Sequence, residues 1–576
     1  MKKILVLLAF CALAFACGKE NADKKGRGND NRPATIVGKV SGDNGVAIAG
    51  VVVSDGLNCV KTDASGSYAL PADLTKATYV FVSTPAEWAA PVASESGMPV
   101  FWKFLKDCTI GTDGKYEINF TLKRIANPER YTVFIFADPQ PRRNTTTSGS
   151  NVPTDQYAYK SLDCCDDMYA DMKELARTMT DRPVYGIALG DIVHQDLTLL
   201  ADYKAGMKTT GIRTYNVIGN HDQGHKSCNV MQDDQAHKAF EAEMGPVNYS
   251  FNLGGMHYLV LDNMIAPPAG STDSEGNIQY TDDCATGLTD DIWKWVQNDL
   301  KHVPFTTPIM VCVHSPMFKG LGNNGTTHAA VIKERTGDHI PDLKNLLSKY
   351  SKSYGWAGHT HSTFNYVEKG HDDVTETHTL GRVTGALWSN EWQSSNGTPR
   401  GYLVFEYDNG DISWKFKPIF YQTGTYQKTS KPDYTYRDWD YVGGRAKMKG
   451  TGENLTDAYQ MQLYAPGVYG DSYIYANIFM WDEAWGQPQL WIDNVFVSNM
   501  QRVTVNDKDK YFSYSNWELN KFYWKTRGIS LFKDAYENGM NNCASMFRAF
   551  VNNEHGTAKV KVKDRFGNDY ESTITW

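Results

Sequence analysis

Beyond its first segment the chain has no continuous apolar run of 18 residues, so nothing later in it reads as a helical membrane span. It also lacks any lysine- or arginine-rich run, and its formal net charge is −8. That balance gives no groove for tracking a phosphate backbone, so no nucleic-acid-binding surface is expected. Ten cysteines are present, but without regular spacing and without a CxxC pair. Zinc-ribbon and dithiol redox sites are thereby excluded. What remains is an ordinary soluble composition. With 576 residues, 41% of them apolar, there is material for three or four domains with cores of their own.

The first segment is a targeting sequence and stands outside the fold. Lys2-Lys3 supplies a positive start and Ile4 to Phe15 a short apolar stretch, ending in Leu13-Ala14-Phe15-Ala16-Cys17-Gly18. These residues resemble a bacterial lipoprotein signal, in which the cysteine is lipidated and becomes the new N-terminus. Ala14 departs from the leucine usual at that place. The resemblance implies lipidation of Cys17, a lipid-anchored location in the bacterial cell envelope at the outer membrane, and membrane contact through that lipid alone. Glu20 to Asn31 is polar and glycine-containing, as a tether would be. Residues 1–33 are therefore read as signal and tether.

Residues 34–126 read as a β-sandwich. Thr35 to Val40 and Val51 to Gly56 are short β-branched runs, and Thr62 to Tyr68 supplies a turn between strands. The module is either a substrate-positioning element or a spacer and packing partner. It holds Cys59 and Cys108, whose pairing the sequence leaves open. Cys164 and Cys165 are adjacent on an expected helix and point in different directions.

From residue 127 to 415 strands alternate with helices. Helices are expected over Tyr157–Met179, from a Thr289 cap with Asp290 and Asp291 in the first turn, and near Ile340–Tyr350. A hairpin is expected from Tyr249–Leu253 through Gly254-Gly255 to His257–Asp262. This order favours an α/β fold of layered sandwich type over a barrel. Residues 416–576 read as a mainly-β domain, with strands expected within Val468–Trp481, Gln489–Val497, Gln501–Tyr514 and His555–Trp576. Its Trp481, Trp485, Trp491, Trp517 and Trp524 suit either a packed sandwich or a carbohydrate-stacking platform.

Five apolar runs of the middle segment each end in oxygen- or imidazole-bearing residues. Val133 to Ala137 leads to Asp138-Pro139-Gln140, Ile187 to Leu189 to Gly190-Asp191, and Tyr215 to Ile218 to Gly219-Asn220-His221-Asp222. Ile309 to Val313 leads to His314, and Tyr354 to Ala357 to Gly358-His359-Thr360-His361. Open α/β sheets gather ligands outside the carboxyl ends of their strands in this manner. The ordered set resembles the calcineurin-like metallophosphoesterases over roughly residues 130–405. The flanking modules resemble the companion domains of the envelope members of that group.

The resemblance implies an enzyme hydrolysing phosphate monoesters or diesters with two metal ions drawn from Mn, Fe, Zn or Mg. Two metals about 3.5–4 Å apart would activate water and receive phosphoryl oxygens. By resemblance Asp138, Gln140, Asp191 and His361 would hold the first metal. Asp191 would bridge to the second, which Asn220, His314 and His359 would complete. Two carboxylates against two divalent ions leave a surplus of about +2, suited to a phosphate dianion. His221 would act on the leaving-group side, with Asp222 orienting its imidazole. Gln140 departs from the histidine more frequent at that place, which puts first-site affinity and metal identity in doubt.

His225, Trp388, Trp392 and Arg400 are candidate substrate contacts, whereas His194, His257 and His378 are read as filler. The rival reading is an envelope binding protein whose phosphoesterase centre is vestigial. Against it stands the complete ligand set.

Overall fold

In the computed structural model the described residues are 33–141, 161–223, 233–266, 284–317, 338–368, 370–371, 373–385, 394, 398–419, 439–442, 445–448, 460–467, 471–503, 545–552 and 554–576. The centre of the molecule is a pair of facing sheets. The first orders its strands Arg213–Val217, Val184–Leu189, Arg130–Phe136, Gly401–Asp408 and Asp411–Pro418. The initial three run parallel, and Gly401–Asp408 joins them antiparallel. The second sheet orders Tyr249–Leu253, Met256–Val260, Ile309–Cys312, Ser353–Ala357, Glu376–Thr379 and Phe364–Tyr366, with its four inner strands parallel. A bridge from Ala137 to Arg382 links the two sheets near the site.

Alternation along Arg130–Phe136 shows why two layers form. Val133 and Ile135 enter the core shared with Leu259, Val311 and Trp356 of the second sheet. Phe134 and Phe136 point the other way, into a separate core with Met168, Met172, Tyr203 and Met207. Those partners come from the helices Ser161–Thr178 and Leu200–Thr210, so a buried strand serves one core on each face. On the outer side of the second sheet, Asp290–Leu300 contributes Trp295 and Val296, and Ile340–Leu347 contributes Leu343 and Leu347. Thr289 caps the former helix by accepting from the backbone N–H of Ile292. The result is the layered α/β sandwich the alternating pattern predicts.

The N-terminal sandwich stacks one sheet of Ser67–Leu70, Ile36–Gly42, Phe120–Arg124 and Trp88–Ala89 on another of Cys59–Lys61, Val52–Ser54, Tyr79–Ser83 and Trp102–Phe104. Polar groups fix it to the second central sheet and to the helix Asp290–Leu300. Asn252 N–H donates to the Thr84 carbonyl at 2.9 Å, and Trp295 Nε1 donates to Ser54 Oγ at 3.1 Å. Cys59 and Cys108 are separate thiols. The first is directed at Ser54 and the second at the Phe104 carbonyl, so the pairing left open by sequence does not form.

The C-terminal domain has two four-stranded sheets, one containing Met461–Tyr464, Tyr473–Ile478 and Met546–Phe550, the other Gln489–Ile492, Thr557–Lys563 and Asp569–Thr575. Arg565 ties it to Glu376 of the second central sheet, with Lys352 also 2.8 Å from that carboxylate. Trp481 packs edge-on against Phe547 and Trp485 lies over Tyr570, which fits the packed-sandwich reading for those two rings. Trp517 and Trp524 lie outside the described residues.

Three expectations shift in detail. The first helix is described from Ser161 to Thr178, and residues 157–160 fall outside the described set. The boundary expected between residues 415 and 416 falls inside the strand Asp411–Pro418, whose alternation continues to pair with Gly401–Asp408. Of Gln501–Tyr514 only Gln501–Arg502 is described as a strand.

Candidate metal centre

Backbone conformation marks the site before any side chain is considered. Among the described residues eleven non-glycine residues have positive φ, and five are Asp138, Gln140, Asp191, His359 and His361, at 40° to 67°. Left-handed backbone is costly for residues with a Cβ and persists where surroundings impose it, which is commonly at functional sites. Here it turns each chain sharply at the strand's carboxyl end, so that the side chain reaches back over the sheet edge.

The motif glycines let these turns approach one another. A Cβ on Gly219 would fall on the backbone N and carboxylate of Asp191, and one on Gly358 would fall on the Asp138 carboxylate. Both positions therefore exclude any side chain.

The side chains converge from both sheets. His314 Nδ1 lies 2.8 Å from the Leu189 carbonyl, and because a carbonyl only accepts, Nδ1 carries the hydrogen and Nε2 faces the centre. Around that Nε2 stand Asn220 Oδ1 at 3.1 Å, His359 Nδ1 at 3.2 Å and Asp191 Oδ1 at 3.3 Å. Asn220 Oδ1 is also 3.0 Å from His359 Nδ1. Four lone-pair atoms meeting in this way match the chemistry of a cation site.

A second group adjoins them. His361 Nε2 is 3.4 Å from Asp138 Oδ1, and Gln140 presses its amide against Asp191 Oδ2. Asp138 Oδ1 and Gln140 Oε1 are buried and have no hydrogen-bond partner among the described residues. Buried oxygens without donors are expensive unless a cation takes that place. Asp138, Asp191 and His314 alone bring ligand atoms within 4.8 Å of one another. The residues present fit metal binding, with Asp191 offering Oδ1 to one group and Oδ2 to the other.

The local electrostatics are strongly coupled. Burial alone would lower the His314 pKa, but the Asp191 carboxylate beside it prevails and pushes it up to about 9. Against the cost of burial, that imidazole also holds Asp191 below the usual carboxylate range.

Of the remaining candidates, His221 borders the centre and donates its backbone N–H to Asp191 Oδ1 at 2.9 Å. Its ring lies 4.3 Å from that of His194, centroid to centroid. His194, read from sequence as filler, is therefore beside the site. The signal that could have found it is its place three residues after Asp191, within the same turn. His257 and His378 are buried structural groups, the former between Asn252 and Asp299 and the latter against Asn365.

Two assignments are corrected. Asp222 does not orient His221. Its Oδ1 accepts from Val193 N–H at 2.9 Å, and Oδ2 accepts from Ile192 and Gly219 N–H at 3.0 and 2.9 Å. Burial and the Asp191 charge push its pKa up, while the three N–H groups oppose that shift. It is the brace that joins the Gly190-Asp191 turn to the Gly219-Asn220 turn.

Arg400 is fully buried rather than presented to a substrate. Its guanidinium meets Asp167 at 2.8 Å and the carbonyls of Thr384 and Ile419 at 3.3 and 3.2 Å. Thr384 in turn donates to the Pro139 carbonyl at 3.0 Å, so Arg400 supports the Asp138-Pro139-Gln140 turn from behind. His225, Trp388, Trp392 and Cys17 lie outside the described residues.

Two family models match segments of the chain. Residues 34–125 match the family described as N terminal of Calcineurin-like phosphoesterase, and residues 377–570 the family described as C terminal of Calcineurin-like phosphoesterase. No curated protein matches the chain. Among solved structures, a purple acid phosphatase from yellow lupin aligns with 13% identity over 65% of this chain and 68% of its own, at a TM-score of 0.33. The 5'-nucleotidase of Candida albicans aligns with 11% identity over 50% of this chain and 52% of its own, at 0.28. A sulfate thiohydrolase from Thermus thermophilus aligns with 10% identity over 50% of this chain and 56% of its own, at 0.26.

Proposed function

We propose that this chain, whose N-terminal and C-terminal segments both match calcineurin-like phosphoesterase families, hydrolyses phosphate esters at a centre of two divalent metal ions. The observation that carries the reading is the convergence of Asp191 Oδ1, Asn220 Oδ1, His314 Nε2 and His359 Nδ1 beside the donor-less oxygens of Asp138 and Gln140. Asp138, Gln140, Asp191 and His361 would hold one ion, and Asp191, Asn220, His314 and His359 the other.

Bound there, divalent cations supply Lewis acidity, neutralising phosphoryl charge and lowering the pKa of water. The chain's own residues do the rest. Leu189 fixes the His314 tautomer through its carbonyl, and Asp222 locks the two ligand turns together. His361, with its side chain 37% exposed, lies at the open edge where an ester would enter. His221, half-buried on that border, donates a hydrogen bond or a proton to the leaving oxygen.

Turnover of p-nitrophenyl phosphate and bis-p-nitrophenyl phosphate with added Mn²⁺ tests the proposal. Activity on either, abolished by chelator, is the expected result and separates monoesterase from diesterase. Inactivity on both, with metal bound, would favour the vestigial binding protein. Anchoring in the cell envelope by lipid on Cys17 is part of the same reading. Wild type should partition into detergent and Cys17→Ala should not, and equal partitioning would remove the anchor.

A further inference from the structure

The parallel strands of the first central sheet carry metal ligands at their carboxyl ends and a cluster of cations at their amino ends. A cleft of about 310 Å³ opens there, between the sandwich's last strand, the linker that follows it and the start of the catalytic sheet. Lys123, Arg124, Arg182 and Arg213 line it, with Asp181 as the only lining carboxylate.

That carboxylate is already shared. Asp181 lies 2.6 Å from Arg130 and 3.2 Å from Arg182, and Arg182 reaches Glu406 at 3.3 Å. Lys123, Arg124 and Arg213 have no ion-pair partner among the described residues. Arg124 rests over the Trp88 ring at 5.2 Å, which holds its guanidinium in place without neutralising it. Arg213 faces the phenol of Tyr185, a neutral group. Three uncompensated cations around one small cleft repel one another. Their gathering in a chain of net charge −8 is not a consequence of overall composition.

We propose that this cleft binds a phosphate-type oxyanion at a site separate from the metal centre. Guanidinium forks match the paired oxygens of such a group, and Lys123 adds a mobile point charge. The separation is set by the strand Val184–Leu189, whose six residues span roughly 20 Å at about 3.3 Å each, with Asp191 beyond its far end. The bound group would lie against both the sandwich strand Phe120–Arg124 and the catalytic strand that Arg213 opens, and so would fasten the two domains together. The same chemistry is offered by free phosphate and by a phospholipid headgroup.

Calorimetric titration of the metal-loaded enzyme with inorganic phosphate, at low ionic strength and with chloride as control, reads the first source. Co-sedimentation with phosphatidylcholine vesicles containing phosphatidylglycerol reads the second. The paired variant Lys123→Gln with Arg213→Gln should lose at least tenfold in one of these affinities while its metal content stays at the wild-type level. Lys123→Gln alone changes an exposed side chain, cannot unfold the sheet, and should weaken the same binding several-fold. Loss of a phosphate isotherm assigns free oxyanion, and loss of vesicle binding alone assigns a headgroup. Wild-type behaviour of both variants in both assays overturns the proposal.

Discussion

The Nδ1 hydrogen of His314, on the second central sheet, is held by the carbonyl of Leu189 on the first, at 2.8 Å. One hydrogen bond therefore spans the two layers and aims Nε2 at Asp191 and Asn220. His314→Ala should lose the second-site metal and nearly all turnover while the first site stays loaded. Metal analysis alongside kinetics checks this, and a variant retaining two metals per chain would remove His314 from the ligand set.

His221 differs because its side chain has no part in that convergence. Its backbone N–H serves Asp191, and an alanine keeps that hydrogen bond. His221→Ala should bind both metals yet lose about 10²–10⁴-fold in rate, most for poor leaving groups, as expected of a general acid. Loss of metal in this variant would show that its role is ligation.

Asp222 should fail in a third way. Asp222→Asn turns an amide NH₂ toward at least one of three backbone N–H donors in a fully buried place. Leaving such groups unmatched costs about 3 kcal/mol, so the loss should appear first in denaturant unfolding. Wild-type stability with reduced rate would restore Asp222 to a role at the imidazole.

The ligand turns were legible because a strand and a donor-bearing turn repeat in order, three of them with a glycine between, and the structure places Asp138, Asp191, Asn220, His314, His359 and His361 together. Legible too were the sandwich layers, from runs such as Val133 to Ala137 that serve a core on each face. Asp222 and Arg400 were misread for a common physical reason. Sequence shows that a charged residue is near a motif, but not whether backbone amides or a distant carboxylate already occupy it. Asp167 lies 233 positions from Arg400, and no local pattern announces that pair. His194 was missed because its neighbour His221 lies on another strand's turn.

The contact between sandwich and catalytic domain carries a pH signature. Glu241 faces Tyr79 of the sandwich, and burial pushes its carboxyl up from 4.5 to about 7, with Lys238 opposing. His237 lies 3.9 Å from it, and the buried carboxyl of Asp262, itself held up by burial, also faces this group. Between about pH 4.5 and 7 the folded chain keeps a proton that the unfolded chain has released. Stability from this group is therefore greatest below pH 4.5, falls as pH rises through that window, and levels off above 7, by about 3 kcal/mol in all. Glu241→Gln stays neutral throughout and should be more stable than wild type at pH 8 but not at pH 4.5. Parallel pH profiles for the two proteins in denaturant unfolding would refute this.

Gln140 is where the chain leaves the more frequent pattern, and the structure buries its amide at the centre rather than turning it to solvent. The first metal would then meet oxygen from Asp138, Asp191 and Gln140, with nitrogen from His361 alone. The second keeps two nitrogens, from His314 and His359. An amide oxygen is a harder donor than imidazole and suits manganese or magnesium better than zinc. The first metal should accordingly be lost sooner to chelator and be restored better by Mn²⁺ than by Zn²⁺. Gln140→His should tighten that site and move its preference toward zinc or iron. Gln140→Ala removes the oxygen and should weaken the first site by about 10–100-fold, a range typical of lost groups around a metal. A titration in which Gln140→Ala keeps wild-type metal content and activity would strike Gln140 from the ligands and leave the other six in place.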